Sequence, residues 1–257
     1  MNAFLTPAEI LQAWIKNGIN KAALPAYKMI LLGLAAGVYI GFGAHAFLLA
    51  TSAGDTSFEA MLGKLLGAAL FPVGLMLVVL CGAELFTGNN LLTLALFQKK
   101  ITSGAMVRSW IIVYLANLAG SIVLAFFLAK SGLYAGAAGE RAIAVAVSKT
   151  AAPFGELIIR GVLCNMLVVL ACWFQAGAKD MIGKIFAIWF PIMLFVFAGF
   201  EHSVANMTYI PLGMFLGADI GAGQFLIGNL LPVTIGNMIG GAVIVPCLYF
   251  YSYRQSS

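Results

Sequence analysis

Apolar residues in this chain come in long blocks separated by short polar breaks, and the blocks set the expected architecture. Six of them, at about residues 28–51, 61–86, 104–130, 154–176, 185–200 and 226–251, are long enough to span a bilayer. A helix needs ~20 apolar residues to cross ~30 Å of hydrocarbon. Ahead of them, Thr6-Pro7-Ala8-Glu9 reads as an N-cap, a proline at the first helical position and a glutamate at the third. The helix it opens carries Ile10, Leu11, Trp14 and Ile15 on one face, a stripe suited to the membrane interface. The pattern predicts an N-terminal amphipathic interfacial helix in residues 1–27 and a six-span transmembrane domain in residues 28–257.

Two blocks are irregular. The second runs on past Glu84-Leu85-Phe86-Thr87-Gly88-Asn89-Asn90 into a short apolar piece, Leu91 to Phe97. The fifth is short, ends at Gly199-Phe200-Glu201-His202-Ser203, and is followed by Val204 to Leu216 with Pro211 inside. Both read as helices broken near the middle of the membrane. A broken pair at corresponding positions is the best pointer in a sequence to a transport site. An internal repeat supports the correspondence. Gly82-Ala83-Glu84 with Asn89 matches Gly199-Phe200-Glu201 with Asn206, 117 residues later, and Asn117-x-x-Gly120 matches Asn237-x-x-Gly240 at an offset of 120. Three spans per repeat is an odd number, so the two halves are expected upside down relative to each other.

Composition agrees with this and removes whole classes of function. The 257 residues are 62% hydrophobic and 9% charged, with a mean hydropathy of +1.01, against roughly a quarter charged in soluble domains. That excludes a soluble enzyme, a nucleic-acid binder and a disordered scaffold. The net charge of +5 reflects the placement of Lys and Arg. Nine of the 14 basic residues fall on the side that holds the termini and five on the other, which places both termini in the cytoplasm. Met1-Asn2-Ala3-Phe4, with Glu9 and Lys16 following, lacks the basic-then-apolar order of a signal peptide. Cys81, Cys164, Cys172 and Cys247 lie inside apolar runs without a CxxC pair or a Cys/His cluster, as packed thiols do. The chain offers no metal site and implies no cofactor.

Glu84 and Glu201 are the only acidic residues deep inside apolar blocks. An isolated carboxylate costs ~2.5–3.5 kcal/mol at the centre of a membrane helix on insertion scales, so each must have partners. Either they relay protons or bind ions, or each braces its broken loop by accepting the backbone N–H bonds that the break frees. Their equivalent positions favour bracing. His202 directly follows one of them on a broken helix, and imidazole both donates a hydrogen bond and changes charge near neutral pH. It reads as a pore-facing group, with Thr87 offering a hydroxyl in the matching loop. His45 sits among Ala, Phe and Leu and reads as packing. Lys149, in Val147-Ser148-Lys149-Thr150-Ala151, is either a solvated loop charge or a functional cation. Glu156 and Arg160 are four apart on one helix face and read as a local ion pair. No GxSxG elbow, HExxH helix, glycine-rich phosphate loop or Asn-Pro-Ala aquaporin signature occurs. The chain is not expected to be an enzyme.

The segments Glu84-Leu85-Phe86-Thr87-Gly88-Asn89 and Gly199-Phe200-Glu201-His202-Ser203-Val204-Ala205-Asn206-Met207 resemble the two signature loops of the formate/nitrite transporter family. Cys164-Asn165-Met166-Leu167-Val168 resembles that family's fourth-helix segment, and Lys149 precedes it as a family lysine does. The resemblance covers essentially the whole chain. It implies an aquaporin-like all-α membrane fold, with six transmembrane helices in two inverted three-helix repeats and helices two and five broken. It also implies a homopentamer with one pore per protomer in the inner membrane of a cell. By the same resemblance, Phe71 and Phe195 form an outer constriction and Leu75, Leu85, Phe86 and Val168 an inner one. Thr87 and His202 hold the anion between them, Lys149 draws anions into the outer vestibule, and Asn165 and Asn206 add polar contacts.

The implied substrates are small monovalent anions of weak acids: formate, nitrite or hydrosulfide. Two dry rings oppose a bare charge through desolvation and pass a neutral weak acid more readily; His202 with Thr87 stabilises the anion by hydrogen bonding and can supply a proton, so flux should rise as pH falls. Phe71, Phe86 and Phe195 would crowd lactate. The alternatives are a neutral-solute, aquaporin-like channel, which the central His202 argues against, a proton-coupled monocarboxylate carrier, and an intramembrane enzyme dependent on Glu84.

Overall fold

A computed structural model describes residues 4–52 and 56–254 of the chain. Residues 1–3, 53–55 and 255–257, which fall inside the two expected domains, lie outside the described residues. Every regular element among the described residues is helical apart from a single bridge pairing Phe4 with Ala178. Among the described residues, six helical stretches have the length and hydropathy to cross a membrane: Ala26–Ala50, Ser57–Leu80, Ser103–Lys130, Phe154–Gly177, Met181–Ala198 and Gln224–Tyr253.

The N-terminal helix α1 (Pro7–Ala22) begins as expected. Thr6 accepts from the Glu9 N–H at 3.4 Å while the Glu9 carboxylate accepts from the Thr6 N–H at 2.7 Å, a reciprocal cap that satisfies two orphan donors. That backbone bond, with the Thr6 hydroxyl, holds the Glu9 carboxyl below its ordinary pKa. The face of α1 differs from the expectation. Ile10, Leu11, Trp14 and Ile15 are all buried. They pack inward, on α6 (Leu92–Phe97) and on α9 (Phe154–Gly177). The stripe docks α1 on the body instead of laying it in lipid; an amphipathic period cannot distinguish these two apolar surroundings.

The first span is α2 (Ala26–Ala50), and the second is α3 (Ser57–Leu70) followed, after Phe71-Pro72, by α4 (Val73–Leu80). The second span stops at Leu80, short of residue 86. Gly82 has a φ of +81°, a left-handed turn that a side chain disfavours, and the chain then runs through Ala83–Leu85 into the short α5 (Phe86–Asn89) and α6. The third and fourth spans are α7 (Ser103–Lys130) and α9, with α8 (Ala137–Ala151) between them. The fifth, α10 (Met181–Ala198), starts at the Asp180 cap and ends at Gly199, whose φ is +78°. It continues as α11 (Ser203–Phe215), of which Ser203 through Gly213 is buried throughout. The sixth span contains π-helical turns at Gln224–Leu230 and Ile239–Ile244, which flank α12 (Leu231–Met238) and precede α13 (Val245–Tyr253).

Span pairs meet backbone to backbone at two matched places. A Cβ on Gly120 of α7 would strike the Leu34 carbonyl of α2, and one on Gly240 would strike the Val162 carbonyl of α9. Small residues at such crossings let membrane helices pack closely. Overpacking costs typically ~1–3 kcal/mol where side chains can yield, and here the obstacle is backbone. Gly240→Val is therefore expected to lower the thermal midpoint in detergent by several degrees. Gly155→Ala, where nothing lies within 4 Å, should leave the midpoint in place. Light scattering on heating checks both.

Candidate functional site

The two breaks are built alike. At the first, the Asn117 side chain of α7 accepts from the Phe86 N–H at 2.9 Å and donates to the Glu84 and Gly33 carbonyls at 2.9 and 2.8 Å. At the second, Asn237 of α12 accepts from the Ser203 N–H at 2.9 Å and donates to the Glu201 and Gly161 carbonyls at 3.0 and 2.8 Å. An asparagine amide suits this place because it supplies one acceptor and two donors where a broken helix leaves both kinds of orphan.

The backbone groups freed by the breaks thus go to asparagines, and the glutamates take other partners. Glu84 accepts from Lys21 of α1 at 2.6 Å and from the Asn89 side chain at 2.7 Å. Glu201 accepts from Lys149 at 3.0 Å on each carboxylate oxygen and from the Asn206 side chain at 2.6 Å. The backbone is better served by a neutral amide, and the buried carboxylates are better served by cations. Lys149 lies in the last turn of α8, not in a loop, with its side chain 15% exposed. Its ammonium also sits 5.2 Å from the Tyr209 ring centre.

Between the breaks, Thr87 Oγ1 and His202 Nε2 are 2.9 Å apart, both groups buried. His202 caps α11: its Nδ1 accepts from the Ala205 N–H at 3.1 Å. An acceptor at Nδ1 puts the proton of the neutral ring on Nε2, which then donates to the Thr87 hydroxyl oxygen. Phe195 stacks on the His202 ring at 5.8 Å between centres and meets Phe71 edge-on at 5.6 Å.

Two cavities approach this pair. One of about 600 Å³, beside α1, is lined by Lys21, Glu84, Leu75, Leu85 and Asn89. The other, of about 270 Å³ beside α8, is lined by Lys149, Glu201, Phe71, Phe195, His202 and Asn206. Phe71 and Phe195 therefore fall together on the α8 side, and Leu75 and Leu85 on the α1 side. Phe86 and Val168 are buried but line neither cavity; the Phe86 ring packs edge-on against Trp110 and Tyr114 of α7. Asn165 donates to Asn90 Oδ1 and to the Asn237 carbonyl at 2.8 and 2.7 Å. The side-chain oxygens of Asn165 and Asn206 have no hydrogen-bond partner among the described residues.

Sequence reasoning missed Lys21. It lies 63 residues before Glu84 on a helix read as peripheral, and no spacing connects the two. Asn117 and Asn237 were marked by the repeat, yet only the folded chain shows what they bond. His45, read as packing, is bonded at Nδ1 to the Tyr134 hydroxyl at 2.8 Å, and burial pushes that hydroxyl's pKa up. The Glu156–Arg160 pair forms at 2.6 Å with both side chains largely exposed, so it contributes little stability.

Comparison with known proteins gives a consistent result. The sequence profile described as formate/nitrite transporter matches residues 8–251. The chain is 45% identical to the uncharacterized transporter YrhG of Bacillus subtilis, over 98% of this chain and 95% of that one. It is 41% identical to a probable formate transporter of Methanothermobacter thermautotrophicus, over 99% of each. Among solved structures, a pentameric formate channel with formate bound superimposes with a TM-score of 0.78 at 32% identity, covering 89% of this chain and 97% of the other.

Proposed function

Because the chain belongs to the formate/nitrite transporter family and is a multi-pass membrane transport protein, not an enzyme, we propose that it conducts small monovalent weak-acid anions. Formate, nitrite and hydrosulfide form the substrate class, and each protomer of a homopentamer carries one pore. The chain is read as two inverted three-helix repeats with helices two and five broken, an arrangement supported by the matched asparagine and glutamate contacts at the two breaks. Both termini face the cytoplasm of the cell's inner membrane, so the α1 cavity is the inner vestibule and the α8 cavity the outer one.

The observation that carries this reading is the buried Thr87–His202 pair, 2.9 Å apart, between an aromatic closure at Phe71 and Phe195 and an aliphatic one at Leu75 and Leu85. Lys149 concentrates anions at the outer mouth. The pair supplies the hydrogen bonds that a small oxyanion loses on leaving water, and the apolar closures favour the neutral acid over the bare ion. With Nδ1 committed to Ala205, His202 acts as a hydrogen-bond donor through Nε2. The proton that neutralises the anion comes from water in the vestibules. Asn165 and Asn206, whose amide oxygens have no partner among the described residues, add polar contacts nearby. Phe86 and Val168, buried and on neither cavity wall, are left out of the inner closure.

The test is flux in proteoliposomes across pH with formate, nitrite, hydrosulfide, lactate and water. Formate, nitrite or hydrosulfide flux should rise as pH falls, with lactate well below them. Water flux with no anion flux and no pH dependence would establish a neutral-solute channel instead. Accumulation of the anion against its own gradient, driven by an imposed proton gradient, would establish a coupled carrier.

A further inference from the structure

Asn229 belongs to neither signature loop, yet it is fully buried in the first π-helical turn of the last span. Its amide faces two ways. The nitrogen donates to the backbone carbonyl of Lys149 at 2.8 Å, and the oxygen accepts from the Asn206 side chain at 2.8 Å. Asn206 in turn donates to Glu201, which receives the Lys149 ammonium. The contacts close a ring that leaves Lys149 through its carbonyl and returns to it through its side chain.

The carbonyl that Asn229 holds has no helical partner. In a helix it would accept from the N–H four residues on, and that residue is Pro153, which has none. A buried carbonyl left unpaired costs about 1–3 kcal/mol, so another donor must be delivered to it. A π-helical turn, often found at functional sites, delivers it. The corresponding place in the third span is occupied differently. Ser109 lies eight residues before Asn117, as Asn229 lies eight before Asn237. Ser109 is also fully buried, and its hydroxyl has no partner among the described residues. The clamp is thus specific to the lysine beside the α8 cavity.

We propose that Asn229 is a positioning residue for anion capture: it fixes the backbone of Lys149 and the acceptor pair Asn206–Glu201 together, so that the ammonium is presented at the mouth of the α8 cavity. This rests on the reading of Lys149 as the capturing cation. Losing the clamp leaves Lys149 present but loosely placed, so the effect falls on apparent affinity more than on maximal flux.

The experiment is a double-mutant cycle on formate uptake by proteoliposomes containing the full chain, using Asn229→Ser, Asn229→Asp and Lys149→Ala. Asn229→Ser imports the residue found at Ser109. Asn229→Asp keeps the acceptor for Asn206 and loses the donor to Lys149. Each is expected to raise the half-saturating formate concentration about tenfold, the loss of roughly one buried hydrogen bond, with maximal flux within about twofold. In the Lys149→Ala background neither should raise it further, since a positioning effect has nothing left to position. If Lys149→Ala itself leaves uptake unchanged, the reading of Lys149 fails and the inference falls with it. If Lys149→Ala impairs uptake while the Asn229 variants behave as wild type, or act equally in both backgrounds, the inference alone is overturned. Aggregation of both Asn229 variants beside a well-folded Lys149→Ala would assign Asn229 to folding and overturn it as well.

Discussion

Replacing His202 by alanine is expected to reduce formate flux in proteoliposomes by about a hundredfold. The change removes three things at once: the hydrogen bond to Thr87, the cap on the Ala205 N–H, and the ring stacked on Phe195. Two buried hydrogen bonds at roughly 1–1.5 kcal/mol each account for that factor. The alanine variant mixes a folding defect with a transport defect, and asparagine separates them. Asparagine is a strong N-cap, and its side-chain oxygen can stand where Nδ1 stands and accept from Ala205. It carries nothing at the place of Nε2. His202→Asn should therefore keep the thermal midpoint near that of the wild type and still lose most of the flux. What remains should still rise at low pH, because that rise reflects the neutral acid favoured by the apolar closures and not the lost donor. Wild-type flux through His202→Asn would remove His202 from the pore.

The same residue marks how far the sequence could be read. A carboxylate and a histidine inside apolar blocks are conspicuous because burial without partners is costly, so Glu84, Glu201 and His202 were visible without coordinates. Thr87 became visible only through its position in the matching loop. The partners were harder to read. Glu84 is paired with Lys21 and Glu201 with Lys149, across sequence separations of 63 and 52 residues, and no periodicity records such distances. The amphipathic stripe of α1 located a helix correctly and its surroundings wrongly, since the period reports that a face is apolar and not what covers it. The expected inner ring was read as four residues; the structure puts Leu75 and Leu85 on the cavity wall and turns Phe86 toward α7. A side chain's direction at the first position of a short helix depends on the turn before it, here set by Gly82 and by the Glu84 N–H bonded to the Leu32 carbonyl.

The bracing asparagines carry the second large prediction. Asn237→Leu keeps the branched shape of the side chain, at a larger volume, and deletes its acceptor and both donors. The Gly161 carbonyl lies within α9 and keeps a helical partner. The Ser203 N–H and the Glu201 carbonyl lie in the break and lose theirs. Each buried orphan costs about 1–3 kcal/mol, in a region where lipid excludes the water that might replace the bond. Against a total stability of order 5–15 kcal/mol, that loss is large enough to prevent assembly. Asn237→Leu and Asn117→Leu are both expected to aggregate on size-exclusion chromatography in detergent. Asn237→Asp, which preserves the acceptor for Ser203, should be recovered in part. Ser109→Ala deletes a hydroxyl that has no partner among the described residues and should elute as the wild type does. If Asn237→Leu eluted at the native volume with a native thermal midpoint, the amide would not be what holds the break open. The backbone around Glu201 would then have to be satisfied by the Arg160 carbonyl, which already accepts from the Glu201 N–H at 3.3 Å. A carbonyl can accept from Glu201 but cannot donate to its C=O, so it cannot take over the work of Asn237, and the leucine variant is expected to fail for that reason.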